Sequence, residues 1–372
     1  MDRKIVLLLT LSFFINACQV DNHSKSKKDT PQTDEYSKSK EIIRSLDTIV
    51  NPNGIQEYFQ TNIGGIEQSV YVRGQNKNNP IIIFVHGGPA SPMAPLAWAF
   101  QRPFEEYFTI VQYDQRAAGK TFLKNDTVNL GNTLTIDQYA NDLIQLTDFI
   151  RKKYNKRKVI LLGHSWGTIV SMTAVLKRPD LFYAYVGVGQ VINAMDNERI
   201  SFEYALKEAQ KRHDTIAFAE LQAIAPYPGN LPLTVKRVLV ARKWAQYYGG
   251  LAAYRNNTDY YFMLPLLSPV YSKSDVDGIT KGIDFTLPIL LPKLLSVDFK
   301  PIKKFPIPIF MFMGRHDYTT PSEPTSEWIN QVKAPIKEGV WFENSAHLIP
   351  IEEPGKMLIT LVNRVRPLAE IK

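Results

Sequence analysis

The sequence predicts an α/β fold: a mostly parallel sheet flanked by helices, with a helical cap inserted late in the chain. Three observations carry that expectation. Short apolar runs rich in branched side chains recur and end in turns bearing glycine, serine or histidine, the pattern of strands buried on both faces of a parallel sheet. One of them, Lys158-Val159-Ile160-Leu161-Leu162, runs straight into Gly163-His164-Ser165-Trp166-Gly167 and then into a helical pattern that stops at Pro179. From about 193 to 300 the strand pattern vanishes and only helical periodicity remains.

The chain has 372 residues, enough for one large domain with an insertion. A hydrophobic content of 44% with 11% aromatics is that of a packed globular protein rather than a disordered one. The net charge is +8, but the basic residues are dispersed. The densest group, Arg151, Lys152, Lys153, Lys156, Arg157 and Lys158, falls at the end of a predicted helix, where it complements the helix dipole, so no nucleic-acid partner is expected. Cys18 is the sole cysteine, which excludes an intrachain disulfide and any site built on several thiolates.

Taken in order, Arg3 and Lys4 precede an apolar stretch, 5–15, that has the length of a signal-peptide core and not of a membrane span. Residues 1–17 therefore read as an export signal. Ile15-Asn16-Ala17-Cys18 resembles a bacterial lipobox, which implies lipidation of Cys18 and a membrane anchor outside the cytoplasm. Residues 18–45 are polar and low in complexity and read as a flexible tether. The core follows in two parts, 46–192 and 301–372, around the cap at 193–300.

Residues 55–61 and 66–72 form a predicted hairpin about Gly64-Gly65. A continuous apolar strand, 80–85, ends in His86-Gly87-Gly88-Pro89-Ala90, where glycines let backbone N–H groups approach a ligand closely. The next strand, 108–113, leads into Asp114-Gln115-Arg116-Ala117-Ala118-Gly119, polar residues suited to brace the His-Gly-Gly loop. Thr135 begins a helix with Gln138 placed for a capping box, and Ile136, Tyr139, Ala140, Leu143, Leu146, Thr147 and Ile150 mark its buried face.

Then comes the G-x-S-x-G turn. A serine forced into a strained strand-to-helix turn presents its hydroxyl above the sheet and tolerates only small neighbours, which Gly163 and Gly167 supply. The helix N-terminus beside it favours developing negative charge. After a strand at 183–190, cap helices are expected at 197–211, 216–224, 235–247 and around 286–295. The aromatic group Tyr247, Tyr248, Tyr254, Tyr260, Tyr261 and Phe262 either lines a pocket or packs the cap core. Strand pattern resumes at 307–313, followed by Gly314-Arg315-His316-Asp317, and again at 339–342, followed by Glu343-Asn344-Ser345-Ala346-His347.

All three turns follow strands, so a parallel sheet brings them to one edge. The order Ser165, Asp317, His347 is that of the α/β-hydrolase arrangement. His347 then serves as base, with Asp317 fixing its tautomer, and the N–H groups of Gly88 and Trp166 form the oxyanion hole, with Gly87 as the alternative to Gly88. Of the other histidines, His23 and His213 lie in the tether and cap, His86 and His164 belong to the turns, and His316 is the rival base.

With these residues collected, the chain resembles the proline iminopeptidase branch of the α/β-hydrolase superfamily. The likeness covers roughly 50–190 and 300–370 and rests on His86-Gly87-Gly88-Pro89, Asp114-Gln115-Arg116, Gly163-His164-Ser165-Trp166-Gly167, Gly314-Arg315-His316-Asp317 and His347. It implies a serine hydrolase working through an acyl-enzyme with no metal or organic cofactor, and an aminopeptidase acting on short peptides or amino-acid amides. In the family, cap glutamates hold the substrate's free ammonium; Glu198 and Glu203 are the nearest equivalents, though glutamates also ornament any exposed helix. The chain departs from the family at Ala90 and at Ala117-Ala118-Gly119-Lys120-Thr121, where glycines are usual, and its cap lacks the Trp-Glu signature. Two alternatives stay open: a carboxylic ester or lactone hydrolase, and a membrane-tethered binding protein on a hydrolase scaffold.

Overall fold

The computed structural model describes residues 34–229 and 233–370. Its centre is an eight-stranded sheet in the order β1-β2-β4-β3-β5-β6-β7-β8. The strands are β1 (Ile55–Ile63), β2 (Ile66–Gly74), β3 (Ile81–Val85), β4 (Thr109–Tyr113), β5 (Val159–His164), β6 (Phe182–Val188), β7 (Ile309–Gly314) and β8 (Lys337–Phe342). The first two form an antiparallel hairpin whose turn uses Gly64 and Gly65 at positive φ, and β2 meets β4 antiparallel; from β4 onward every pairing is parallel.

Central strands β3, β4 and β5 are buried along their whole length, as their unbroken apolar runs require. Two apolar layers cover the sheet. One contains Ile83, Leu161, Met311 and helix faces such as Tyr139, Leu143 and Leu146; the other contains Phe84, Leu162, Val186, Phe310 and Phe342.

Helix α1 (Ser37–Asp47) is a correction to the tether reading, which ran to residue 45. Lys40 is buried there, paired with Asp34 and donating to the Tyr271 carbonyl. Few apolar residues mark this helix, and an ammonium reaching a distant carbonyl leaves no periodicity to read. Cys18, the export signal and the first part of the tether lie outside the described residues. Among the described residues no helix is long and apolar enough to cross a membrane.

Helix α2 (Ile136–Lys153) buries the expected face and ends in Arg151, Lys152 and Lys153. Its N-cap is half the expected box: Thr135 Oγ1 accepts from the Gln138 N–H at 3.1 Å, but the Gln138 side chain turns to Asp142 Oδ1 at 2.7 Å. That carboxylate is held by a buried ion pair with Arg116, so the amide completes an existing network. Helix α3 (Trp166–Lys177) follows β5 directly.

The cap contains α4 (Ala194–Lys211), α5 (Thr215–Ala223), α6 (Val235–Ala245) and α7 (Lys273–Leu295). Helix α7 starts well before the expected 286, at a Ser272–Asp275 capping box, and carries Pro288 and Pro292 inside it. Its polar first half hid it from an apolar-pattern reading. Helix α7 crosses the Ala117 turn so closely that a Cβ on Gly282 would sit 2.4 Å from the Ala117 carbonyl.

Candidate active site

The strand β5 to helix α3 junction places Ser165 at φ 55° and ψ −124°, a backbone conformation that a non-glycine residue adopts only under strain. The junction is tight because α3 lies against β3: a Cβ on Gly167 would lie 2.0 Å from the Val85 carbonyl oxygen. Ser165 N–H donates to the Val188 carbonyl at 3.0 Å, which fixes the turn over β6. The hydroxyl itself makes no hydrogen bond among the described residues, and such bonds commonly tighten only when substrate arrives.

Asp317 and His347 come together as the chain order requires. His347 Nδ1 lies 2.9 Å from Asp317 Oδ2. The other carboxylate oxygen accepts from the N–H groups of Thr319 at 2.9 Å and Thr320 at 2.8 Å. Thr320 Oγ1 adds a third donor, 3.0 Å from Asp317 Oδ2 and 3.0 Å from His347 Nδ1. The ring of His347 stacks obliquely on His164, the neighbour of Ser165, at 4.6 Å between centroids. It also rests on Gly189, where a Cβ would approach Nδ1 to 2.9 Å. His316, the rival base, is turned outward and bonds the Tyr254 hydroxyl at 3.0 Å.

The glycine loop lies against the serine. A Cβ on Gly87 would be 3.0 Å from Ser165 Cβ, and Gly88 takes φ +114°. Trp166 opens helix α3, so its N–H has no acceptor within the helix. The Asp114-Gln115-Arg116 segment braces this loop as expected. Gln115 N–H donates to His86 Nε2 at 3.1 Å, its amide donates to the His86 carbonyl at 2.7 Å, and Trp166 Nε1 donates to Gln115 Oε1 at 3.0 Å. Because His86 Nε2 accepts, the proton sits on Nδ1 and is given to the Gly87 carbonyl at 2.9 Å. Burial lowers His86 to about 4 and His164 to about 3, so both rings are neutral fixtures of the turns.

A cavity of about 890 Å³ is lined by cap residues, Val238, Leu239, Leu287 and Leu291 among others, together with Gly88 and Pro89 of the glycine loop. The six cap aromatics do not line it. Tyr248 packs in the cap core, while Tyr247, Tyr254 and Phe262 are largely exposed.

The two cap glutamates part company. Glu198 is buried at the cavity wall, where its carboxylate accepts from Tyr227 and from Arg242. Glu203 is exposed and pairs with Arg199 on the outer surface, which corrects its expected place at the substrate. Five residues of helix rotate a side chain by about 140°, so the two could not share a face.

Sequence reasoning missed Thr320, Arg242 and Glu352. Glu352 bridges cap and core, accepting from Ala253 N–H at 2.5 Å and from Ala346 N–H at 2.8 Å. Thr320 had a signal, since it stands three residues after Asp317. Arg242 and Glu352 had none, because Glu198 and Ala253, the partners that give them their place, are remote in sequence.

A strained serine at a strand-to-helix turn, a buried acid–imidazole pair after later strands and a capping lid define a protein class. A family model described as the alpha/beta hydrolase fold matches residues 80–354, and the chain belongs to that family. More particularly, it is similar to the proline iminopeptidase branch. It is 28% identical over 309 residues to the probable aminopeptidase YbaC of Bacillus subtilis (strain 168), covering 82% of this chain and 95% of that one. It is 26% identical over 301 residues to the proline iminopeptidase of Heyndrickxia coagulans, covering 77% and 91%. Among solved structures, a proline iminopeptidase-related protein of Thermus thermophilus shares the fold, with a TM-score of 0.61 at 17% identity over 85% of this chain and 99% of that one.

Proposed function

We propose that the protein is a serine hydrolase that opens an acyl bond through an acyl-enzyme. The observation that carries this reading is the buried Asp317–His347 pair, 2.9 Å apart, at the same sheet edge as Ser165. His347 Nε2 takes the Ser165 proton as Oγ attacks the acyl carbon, and returns it to the leaving group. Asp317 holds the proton on Nδ1 and stabilises the imidazolium. The N–H groups of Gly88 and Trp166 receive the oxyanion, with Gly87 as the alternative to Gly88. Water then enters by the same route in reverse.

The relatives' names support an aminopeptidase, for which the resemblance implies short peptides or amino-acid amides as substrates. A second reading, an ester, lactone or N-blocked amide substrate, is favoured by Glu198, whose carboxylate is already engaged by Arg242 and Tyr227 instead of standing free for an ammonium. Turnover of prolyl and alanyl arylamides beside acyl nitrophenyl esters tests the choice: ester turnover with no arylamide cleavage removes the aminopeptidase reading.

Export and lipidation at Cys18 complete the proposal, with the N-terminal sequence as its support. Mass spectrometry of the mature N-terminus checks it, and an unmodified Cys18 in membrane-free protein overturns it.

A further inference from the structure

The cap cavity presents a cation where an aminopeptidase needs an anion. Glu198 is only 2% exposed, and both its oxygens accept hydrogen bonds, Oε1 from Arg242 Nη2 and Oε2 from the Tyr227 hydroxyl. A ligand in the cavity therefore meets the guanidinium before the carboxylate. Arg242 keeps 23% of its side-chain surface open and lines the cavity. Of its three nitrogens, only Nη2 makes a hydrogen bond among the described residues, and Nε is sealed without a partner.

The remaining charges point the same way. Glu220 on the wall is tied to Lys243 and to the Trp244 indole N–H, while Lys236 is exposed and forms no ion pair among the described residues. Burial works against the Arg242 charge, and the Glu198 carboxylate, with smaller shares from Tyr227 and Asp317, more than restores it. Apart from Gln246 the remaining wall is aliphatic, and the cavity touches Gly88 and Pro89, next to the glycine that packs on Ser165.

We propose that Arg242 is a specificity-determining residue that receives a carboxylate at the far end of an apolar acyl group filling the cap cavity. The protein's substrates are then acyl esters or amides bearing a terminal acid, and a terminal ammonium is disfavoured. This rests on the serine-hydrolase reading of Ser165. Arg242 Nη1, which makes no hydrogen bond among the described residues and sits in a largely apolar wall, gains most from an anionic acceptor.

The test offers three acyl groups of equal length, hexanoyl, adipoyl with its free acid, and 6-aminohexanoyl, each as a nitrophenyl ester and as a nitroanilide. The adipoyl compound is expected to show a KM about tenfold below hexanoyl, with kcat little changed, and 6-aminohexanoyl the highest KM. Arg242→Met erases the advantage of the acid. Because that change strands a buried carboxylate, Glu198→Gln/Arg242→Met, which removes both partners, is measured beside it and erases the advantage as well. Equal KM for adipoyl and hexanoyl, or the lowest KM for 6-aminohexanoyl, overturns the assignment and leaves the serine hydrolase standing. No turnover of any compound, with no labelling of Ser165 by a fluorophosphonate, overturns both.

Discussion

Thr320 and His347 share one oxygen of Asp317: the threonine hydroxyl stands 3.0 Å and the imidazole Nδ1 2.9 Å from Oδ2. In the proposed mechanism the hydroxyl is thus part of what orients the base, though it touches no reacting atom. Thr320→Val keeps the shape and removes the donor, so kcat should fall about three- to tenfold with KM unchanged, the net worth of one ordinary hydrogen bond, since the two backbone N–H groups still hold Asp317. Asp317→Asn frees the wrong tautomer and should lower kcat roughly a thousandfold to ten-thousandfold. Steady-state kinetics on one nitrophenyl ester measures both, and a Thr320→Val enzyme with unchanged kcat refutes the positioning role.

Asp114 gives the protein a pH signature. Burial pushes its carboxyl up to about 7, only partly countered by the Tyr271 hydroxyl, which donates to both oxygens, and by the Lys120 N–H at 2.8 Å. The folded chain keeps this proton to near neutrality while the unfolded chain, at 3.8, releases it. The neutral acid therefore contributes stability that is full below the unfolded value and lost as pH rises through the folded one. Asp114→Asn is neutral throughout, so its stability relative to wild type should improve by about 1–3 kcal/mol between roughly pH 5 and pH 8. Denaturant unfolding at the two pH values reads this directly; parallel curves for variant and wild type refute it.

His86 works in the opposite sense. Burial depresses it from 6.5 to about 4, so its neutral form contributes stability above the unfolded value that is lost as pH falls toward the folded one. Melting temperature should drop as pH goes from about 6.5 to about 4, and less so in His86→Gln.

Helix α3 can approach β3 only because residue 167 has no side chain. Gly167→Ala would drive a methyl to 2.0 Å from the Val85 carbonyl and 2.7 Å from that of His86, and should cost about 3 kcal/mol or abolish soluble expression. Gly355 meets nothing within 4 Å, so Gly355→Ala, inside a helix, should leave stability unchanged or raise it by up to about 1 kcal/mol. Equal thermal stability of the two variants contradicts the close-packing account.

The elements that sequence made visible are those whose physics is local. Strands β3, β4 and β5 announce themselves as apolar runs, and the serine turn by glycines that steric crowding demands. Ser165, Asp317 and His347 could be expected near one another from the sequence because a parallel sheet sends every strand-end turn to one edge. Elements held by long-range polar contacts stayed hidden: α1, anchored through Lys40 to residue 271, and the first half of α7, which is polar and held by its approach to the Ala117 turn. The cap glutamates show the same limit. Spacing along α4 explains why Glu198 and Glu203 face apart, but only the fold brings Arg242 to Glu198 across 44 positions.

The most direct test is covalent. A fluorophosphonate probe is incubated with the intact protein and with Ser165→Ala and His347→Ala variants, and the modified peptide is located by mass spectrometry. Labelling at Ser165 that vanishes in the first variant and slows by orders of magnitude in the second is the expected result. Intact protein that folds yet stays unlabelled, or carries its label elsewhere, contradicts the hydrolase account.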